Sequence, residues 1–251
     1  MEERIIMSQE CISEGLAALS NLEPKFDQII PKMDQIPLRR RSDGFDRLLS
    51  TIVSQQVSVA AADAIWRKIK LAGFNKITKI KKASDQELRG VGLSKQKIKY
   101  VRSLANSKID YRSLRTMPTS QVVKELTQVS GIGNWTAEIY AMFSLGRADV
   151  FAPGDLALQE ATRSLFNLKE RPSEKELRSI AKDWSPWQAV AKVFNWSLRL
   201  LSSDSFASIS AIFSSVSDFT SLLDLSLFSY RASNSLHSSI LKLNFLALPT
   251  N

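Results

Sequence analysis

The sharpest chemical signal in this chain comes from backbone donors. The run Leu126-Thr127-Gln128-Val129-Ser130-Gly131-Ile132-Gly133-Asn134-Trp135-Thr136-Ala137 sets two glycines one residue apart between apolar helical patterns. Glycine permits a turn that a Cβ would resist, and it lets a phosphate approach the main chain closely. Asn134 suits the N-cap of the helix that follows, whose N–H groups and positive dipole end then point at that phosphate. Ile132 is the apolar plug that seats the turn against its own helices. Such a grip reads a nucleic-acid backbone and not its sequence. An ordinary helical hairpin with a glycine turn has the same local pattern, so the surroundings decide between them.

Asp155 follows Gly133 by twenty-two residues, in Asp149-Val150-Phe151-Ala152-Pro153-Gly154-Asp155-Leu156-Ala157-Leu158. Pro153 and Gly154 break the chain and Asp155 opens the next helix, so by itself it reads as an N-cap. Few other reactive groups compete with it. One cysteine, Cys11, excludes a disulfide framework, a four-cysteine zinc site and an iron–sulfur cluster. One histidine, His237, removes His-ligated metals and argues against Ser-His chemistry. Catalysis here must rest on carboxylates, lysines, hydroxyls or backbone donors, and neither a metal nor a cofactor is expected.

Helices must position these groups. Over residues 45–71, Phe45, Leu48, Leu49, Ile52, Val53, Val57, Ala60, Ala61, Ala64, Ile65 and Ile69 recur mostly at spacings of three and four, which predicts one long helix ended by Gly73. The alanines Ala60, Ala61 and Ala62 predict close packing. Ser84 with Glu87 forms a capping-box pattern for a short helix ending at Gly90-Val91-Gly92. Ser94 then starts a helix with Ile98, Val101, Leu104 and Ala105 on one face. Lys95, Lys97, Lys99 and Arg102 cover much of the remainder, either as a solvated face or as one that tracks phosphates. A third stretch, 119–146, repeats the scheme through the Gly131-Ile132-Gly133 turn, with a helix from Asn134 to about Leu145; this is a partial internal repeat. Strand alternation is absent, so the expected class is all-α.

Composition agrees with a polyanionic partner. Thirty-four Lys and Arg against twenty-five Asp and Glu give a net charge of +9. An excess of that size favours binding that releases condensed counterions, although a basic protein without such a partner is equally compatible with charge alone. No apolar run is long enough to span a membrane, and acidic Glu2 and Glu3 in place of an apolar segment argue against a secretory signal. The expected location is intracellular, in nucleoid, cytosol or nucleus. Residues 202–251 differ in style, with fifteen serines and five charged residues, and no role for them is evident.

Together these pieces resemble the helix-hairpin-helix/Gly-Pro-Asp superfamily of DNA glycosylases, most closely the 3-methyladenine DNA glycosylase II (alkylbase) type. The motifs are Ser54-Gln55-Gln56-Val57-Ser58, the turn from Val91 to Lys97, the glycine hairpin, Pro153-Gly154-Asp155, and Trp184-Ser185-Pro186-Trp187. The resemblance covers roughly residues 20–200. It implies a helical bundle in two lobes with a helix-hairpin-helix motif and a cleft between the lobes, in a short form without the N-terminal β domain, with residues 1–201 as the glycosylase domain and 202–251 as a tail.

The resemblance also implies roles. Asp155 takes the family's catalytic position, where a fixed anion beside C1′ stabilises the oxocarbenium-like state and orients or deprotonates the attacking water. An alkylated purine carries positive charge and leaves readily, so no strong general acid is needed. Bifunctional members have a lysine two residues after the last hairpin glycine; this chain has Trp135 there, so lyase chemistry is not expected. Trp135 and Trp196 fall at the pocket aromatics, which suit a flipped, cationic purine. Trp184 and Trp187 read as core. Ile139 stands where the long form has a pocket tyrosine, and Gln56 stands at the wedge position where that form has leucine. Gln55, Gln56, Lys95, Gly131, Ile132, Gly133 and Asn134 are the expected DNA contacts. The expected partner is duplex DNA with damaged bases, bound by a monomer and without any membrane. Two alternatives stay open: a non-catalytic DNA-binding protein on the same scaffold, and a helical interaction module whose hairpins are only turns.

Overall fold

A computed structural model describes residues 3–32 and 36–192. The described chain is helical. Its elements are α1 (Gln9–Leu22), α2 (Pro24–Ile29), α3 (Phe45–Ser54), α4 (Val59–Leu71), α5 (Ile77–Lys82), α6 (Asp85–Gly90), α7 (Lys95–Asn106), α8 (Thr119–Leu126), α9 (Asn134–Tyr140), α10 (Leu156–Phe166) and α11 (Glu174–Ala181). A π turn, Ala141–Leu145, extends α9, and residues 188–192 are again helical. The β pairing among the described residues is one isolated bridge, Ile5 to Arg147.

Two groups of helices share one apolar core. In the first, α3, α5 and α6 pack on α7, and α4 packs on α3. In the second, α1 lies on α2 and on the turn at residues 182–184, with α10 against α11. The N-terminal helices therefore join the C-terminal ones. Trp184 is the aromatic centre of this second group: its ring lies 5.4 Å from Phe26, 5.5 Å from Phe151 and 6.1 Å from Phe166. Trp184 and Trp187 are both buried, as the sequence indicated.

Caps set the helix ends. The Ser84–Glu87 capping box is formed in both directions, and Ser94 accepts from the Lys97 N–H at 3.2 Å. At α8 the N-cap is Pro118, which has no side chain to offer, and Glu3 supplies the acceptor instead. Its carboxylate takes the Thr119 N–H at 2.9 Å and the Thr119 hydroxyl at 2.6 Å. Glu3 also pairs with the buried guanidinium of Arg147 at 3.2 Å. This knot fixes the first helix of the glycine hairpin.

Two expectations fail here. The apolar period over 45–71 does not make one helix, because α3 ends at Ser54 and α4 restarts at Val59. Ser58 caps the new start by accepting from the Ala61 N–H at 3.3 Å, and Gln56 adopts φ +55, which interrupts helical hydrogen bonding. Of the three alanines, only Ala62 is buried. The lysine-rich face of α7 is also not uniformly solvated. Lys97 is 8% exposed, and its ammonium donates to the Val53 carbonyl near the end of α3, where helical acceptors go unused. Arg102 is committed as well, to Asp85 at 2.6 Å and to the Ala83 carbonyl at 2.9 Å. Lys95 and Lys99 remain exposed.

Candidate active site

The hairpin is built as an anchored turn. Leu126, Val129 and Ile132 are buried, so the turn hangs from its own helices, with Ile132 as the plug. Gly131 has φ +93, and a Cβ there would lie 2.4 Å from the Tyr100 ring on α7, so two independent constraints require glycine. Ser103 on α7 accepts the Ser130 N–H at 3.0 Å. Gln55 donates its side-chain amide to the Gly131 carbonyl at 2.9 Å, which joins the α3–α4 turn to the hairpin.

The second glycine behaves differently. Gly133 is the N-cap of α9 in an extended conformation, and a Cβ there would meet nothing within 4 Å. This corrects the assignment of Asn134, which is the first residue inside α9. The correction suits an external acceptor: Gly133 has no side-chain oxygen, and no side chain caps α9. Gly133 and Asn134 are exposed.

Asp155 is the N-cap of α10, as its context indicated. One carboxylate oxygen, Oδ1, accepts from the N–H groups of Ala157 at 3.0 Å and Leu158 at 3.2 Å. The other, Oδ2, lies 3.2 Å from the Lys192 ammonium, and the two side chains are 1% and 5% exposed. Gln159 donates to the Pro153 carbonyl at 2.8 Å and so braces the break ahead of the aspartate. The loop is tied to the last described helix by the Ala189 N–H, which donates to the Ala148 carbonyl at 2.8 Å. Lys192 also lies over the Phe143 ring, 5.9 Å from its centroid.

The hairpin helix and this turn meet. A Cβ on Gly154 would sit 3.9 Å from Cβ of half-buried Trp135 and 3.7 Å from a carboxylate oxygen of Glu174. Glu138, one turn after Trp135, is buried and pairs with Arg178 of α11 at 2.8 Å. Burial pushes the Glu138 carboxyl above the usual range, and the Arg178 hydrogen bond only partly opposes it. Ile139 is buried next to it at 3% exposure. Trp196 lies outside the described residues.

The structure therefore brings Gln55, Gly131, Ile132, Gly133 and Asn134 together, and sets Trp135 beside the Pro153-Gly154-Asp155 turn. Gln56 is exposed on the α3–α4 turn, and Lys95 is exposed at the start of α7. Sequence reasoning missed Lys192 and the Glu138–Arg178 pair. The signal for Lys192 was a lone cation within the apolar run Val190-Ala191-Lys192-Val193-Phe194.

Comparisons with known proteins agree with this geometry. The alkylbase DNA glycosidase-like protein mag2 of Schizosaccharomyces pombe is 24% identical over 195 residues, covering 73% of this chain and 92% of that protein. The DNA-3-methyladenine glycosylase of Saccharomyces cerevisiae is 33% identical over 185 residues, covering 66% of this chain and 61% of that protein. The solved DNA-3-methyladenine glycosidase from Bacillus halodurans superposes with a TM-score of 0.68 at 31% identity, covering 78% of this chain and 91% of that one. The model of the HhH-GPD superfamily base excision DNA repair protein matches residues 49–186, from α3 past Asp155, and the chain belongs to that family.

Proposed function

We propose that this protein is a monofunctional DNA glycosylase that flips alkylated purines, of the 3-methyladenine and 7-methylguanine class, out of duplex DNA and excises them by hydrolysis. The observation that carries the reading is Asp155. Its carboxylate is fixed by two backbone N–H groups in the turn whose Gly154 faces Trp135. A preorganised anion of this kind stabilises positive charge developing on a sugar at no reorganisation cost during the reaction. It can also orient the water that attacks C1′.

The remaining parts take matching roles. The N–H groups around Gly133 and Asn134 hold a backbone phosphate, with Lys95 adding charge, and exposed Gln56 fills the gap left by the flipped nucleotide. The family resemblance assigns the base pocket to Trp135, Ile139 and Trp196, the last of which lies outside the described residues. Trp135 occupies the hairpin position that would carry a lyase lysine, so base release leaves an intact abasic strand. The protein acts as a monomer on DNA inside the cell. Among the described residues, no helix is long and apolar enough to cross a membrane.

The test is release of 3-methyladenine or 7-methylguanine from alkylated duplex DNA. Asp155→Asn should lower the single-turnover rate by about 10²–10³-fold while binding DNA as the parent does. A parent protein that binds duplex but releases no base refutes the enzymatic reading, and an Asp155→Asn variant of near-parental rate refutes the role of the aspartate.

A further inference from the structure

The Asp155–Lys192 pair sets a problem that the glycosylase reading leaves open. An anion meant to face a sugar cation is accompanied by a cation of its own, 3.2 Å away and nearly as buried as the carboxylate. Removing a carboxylate from water costs several kcal/mol unless fixed donors replace the solvent. Here two N–H groups serve Oδ1, and the lysine serves Oδ2. The lysine reaches this place from a helix 37 residues further along the chain, with the Phe143 ring beside it. The backbone bond from Ala189 to Ala148 ties its helix to the loop that carries the aspartate. The register of that helix relative to Asp155 is thus built in and does not depend on lysine flexibility.

We infer that Lys192 is a positioning residue for the excision reaction: its ammonium fixes the direction of the Asp155 Oδ2 in a buried site. This rests on the proposed role of Asp155. Lys192 acts through the aspartate and forms no bond to the sugar. It stands in for the solvent that an exposed carboxylate would have, and it differs from water in not having to reorient as charge develops on C1′. Its own positive charge opposes that development, so the arrangement trades part of the anion's field for its fixed orientation.

The experiment is a set of Lys192 variants in the full chain, alone and combined with Asp155→Asn. The readouts are single-turnover release of 7-methylguanine and Kd for duplex containing an abasic-site analogue. Lys192→Met should lower the rate by roughly tenfold or more with Kd unchanged within about threefold, because an interaction with the reaction and not with DNA is lost. Lys192→Arg should recover most of the rate. Lys192→Gln, which keeps a hydrogen bond without charge, should fall between them and stays informative if the methionine variant does not fold. The Asp155→Asn/Lys192→Met double variant should be no slower than Asp155→Asn alone, since residues acting as a unit are not additive.

A Lys192→Met protein of parental rate overturns the inference, as does an additive loss in the double variant or a Kd weakened in proportion to the rate. Borohydride trapping of DNA on Lys192 overturns it as well, by showing a nucleophile in place of a positioning group. Absence of base release by the parent protein would instead sink the glycosylase reading, so the two failures are separable.

Discussion

The two hairpin glycines should respond oppositely to the same substitution. In Gly131→Ala the new methyl would lie 2.4, 2.6 and 2.8 Å from Cγ, Cδ2 and Cβ of Tyr100, atoms close to the ring's attachment, which a rotamer change hardly relieves. The backbone there has φ +93, and an L-residue at positive φ costs about 1–2 kcal/mol. Forcing a packed side chain aside costs about 1–3 kcal/mol more. The sum, about 2–5 kcal/mol, corresponds to a loss of roughly 5–15 °C in melting temperature for a protein of this size. In Gly133→Ala, φ is −90 and the methyl meets nothing within 4 Å, so the melting temperature should stay within about 2 °C of the parent. That methyl sits on the N-cap of α9, next to the N–H groups proposed to hold the phosphate. Gly133→Ala should therefore weaken duplex binding by about tenfold, the value of one good hydrogen bond to a charged group. The assay pairs thermal unfolding with fluorescence anisotropy on a labelled duplex. If both variants melt alike, or if Gly133→Ala binds as the parent does, the division between a packing glycine and a binding glycine is wrong.

The same logic separates two lysines of α7. Lys97→Met removes the donor to the Val53 carbonyl and should destabilise by about 1–3 kcal/mol without changing the salt dependence of DNA binding. Lys95→Ala should leave the melting temperature alone and reduce the slope of log K against log salt by about one. For Glu138, the carboxyl raised by burial binds a proton more tightly when folded than when unfolded. Stability associated with it therefore falls as pH rises from the ordinary carboxylate value through the raised one. Unfolding of Glu138→Gln followed from pH 4 to 8 should become less favourable relative to the parent with increasing pH; a constant difference would refute the assignment.

The helix starts were readable because their determinants are local. Ser84 and Ser94 sit one turn ahead of the N–H groups they accept, and Asp155 sits two and three residues ahead of its own. Gly131 was readable for a similar reason, since φ +93 leaves few residues to choose from. The break at Gln55–Ser58 was not readable, because four residues of turn keep the apolar residues on either side close to helical spacing. Asn134 was misplaced by one residue because glycine can also end a cap, with solvent or a ligand replacing the missing side chain. The fates of Lys97 and Lys192 were hidden for a different reason: each is decided by an acceptor from a distant segment, 44 and 37 residues away. Nothing in the residues around a lysine announces such a partner except an apolar setting.

The bond from the Gln55 amide to the Gly131 carbonyl has a mechanical consequence. It ties the turn that carries Gln56 to the glycine hairpin, so displacing one strains the other. With Gln56 as the wedge and the hairpin on a phosphate, as proposed, this one bond sets the distance between the two contacts.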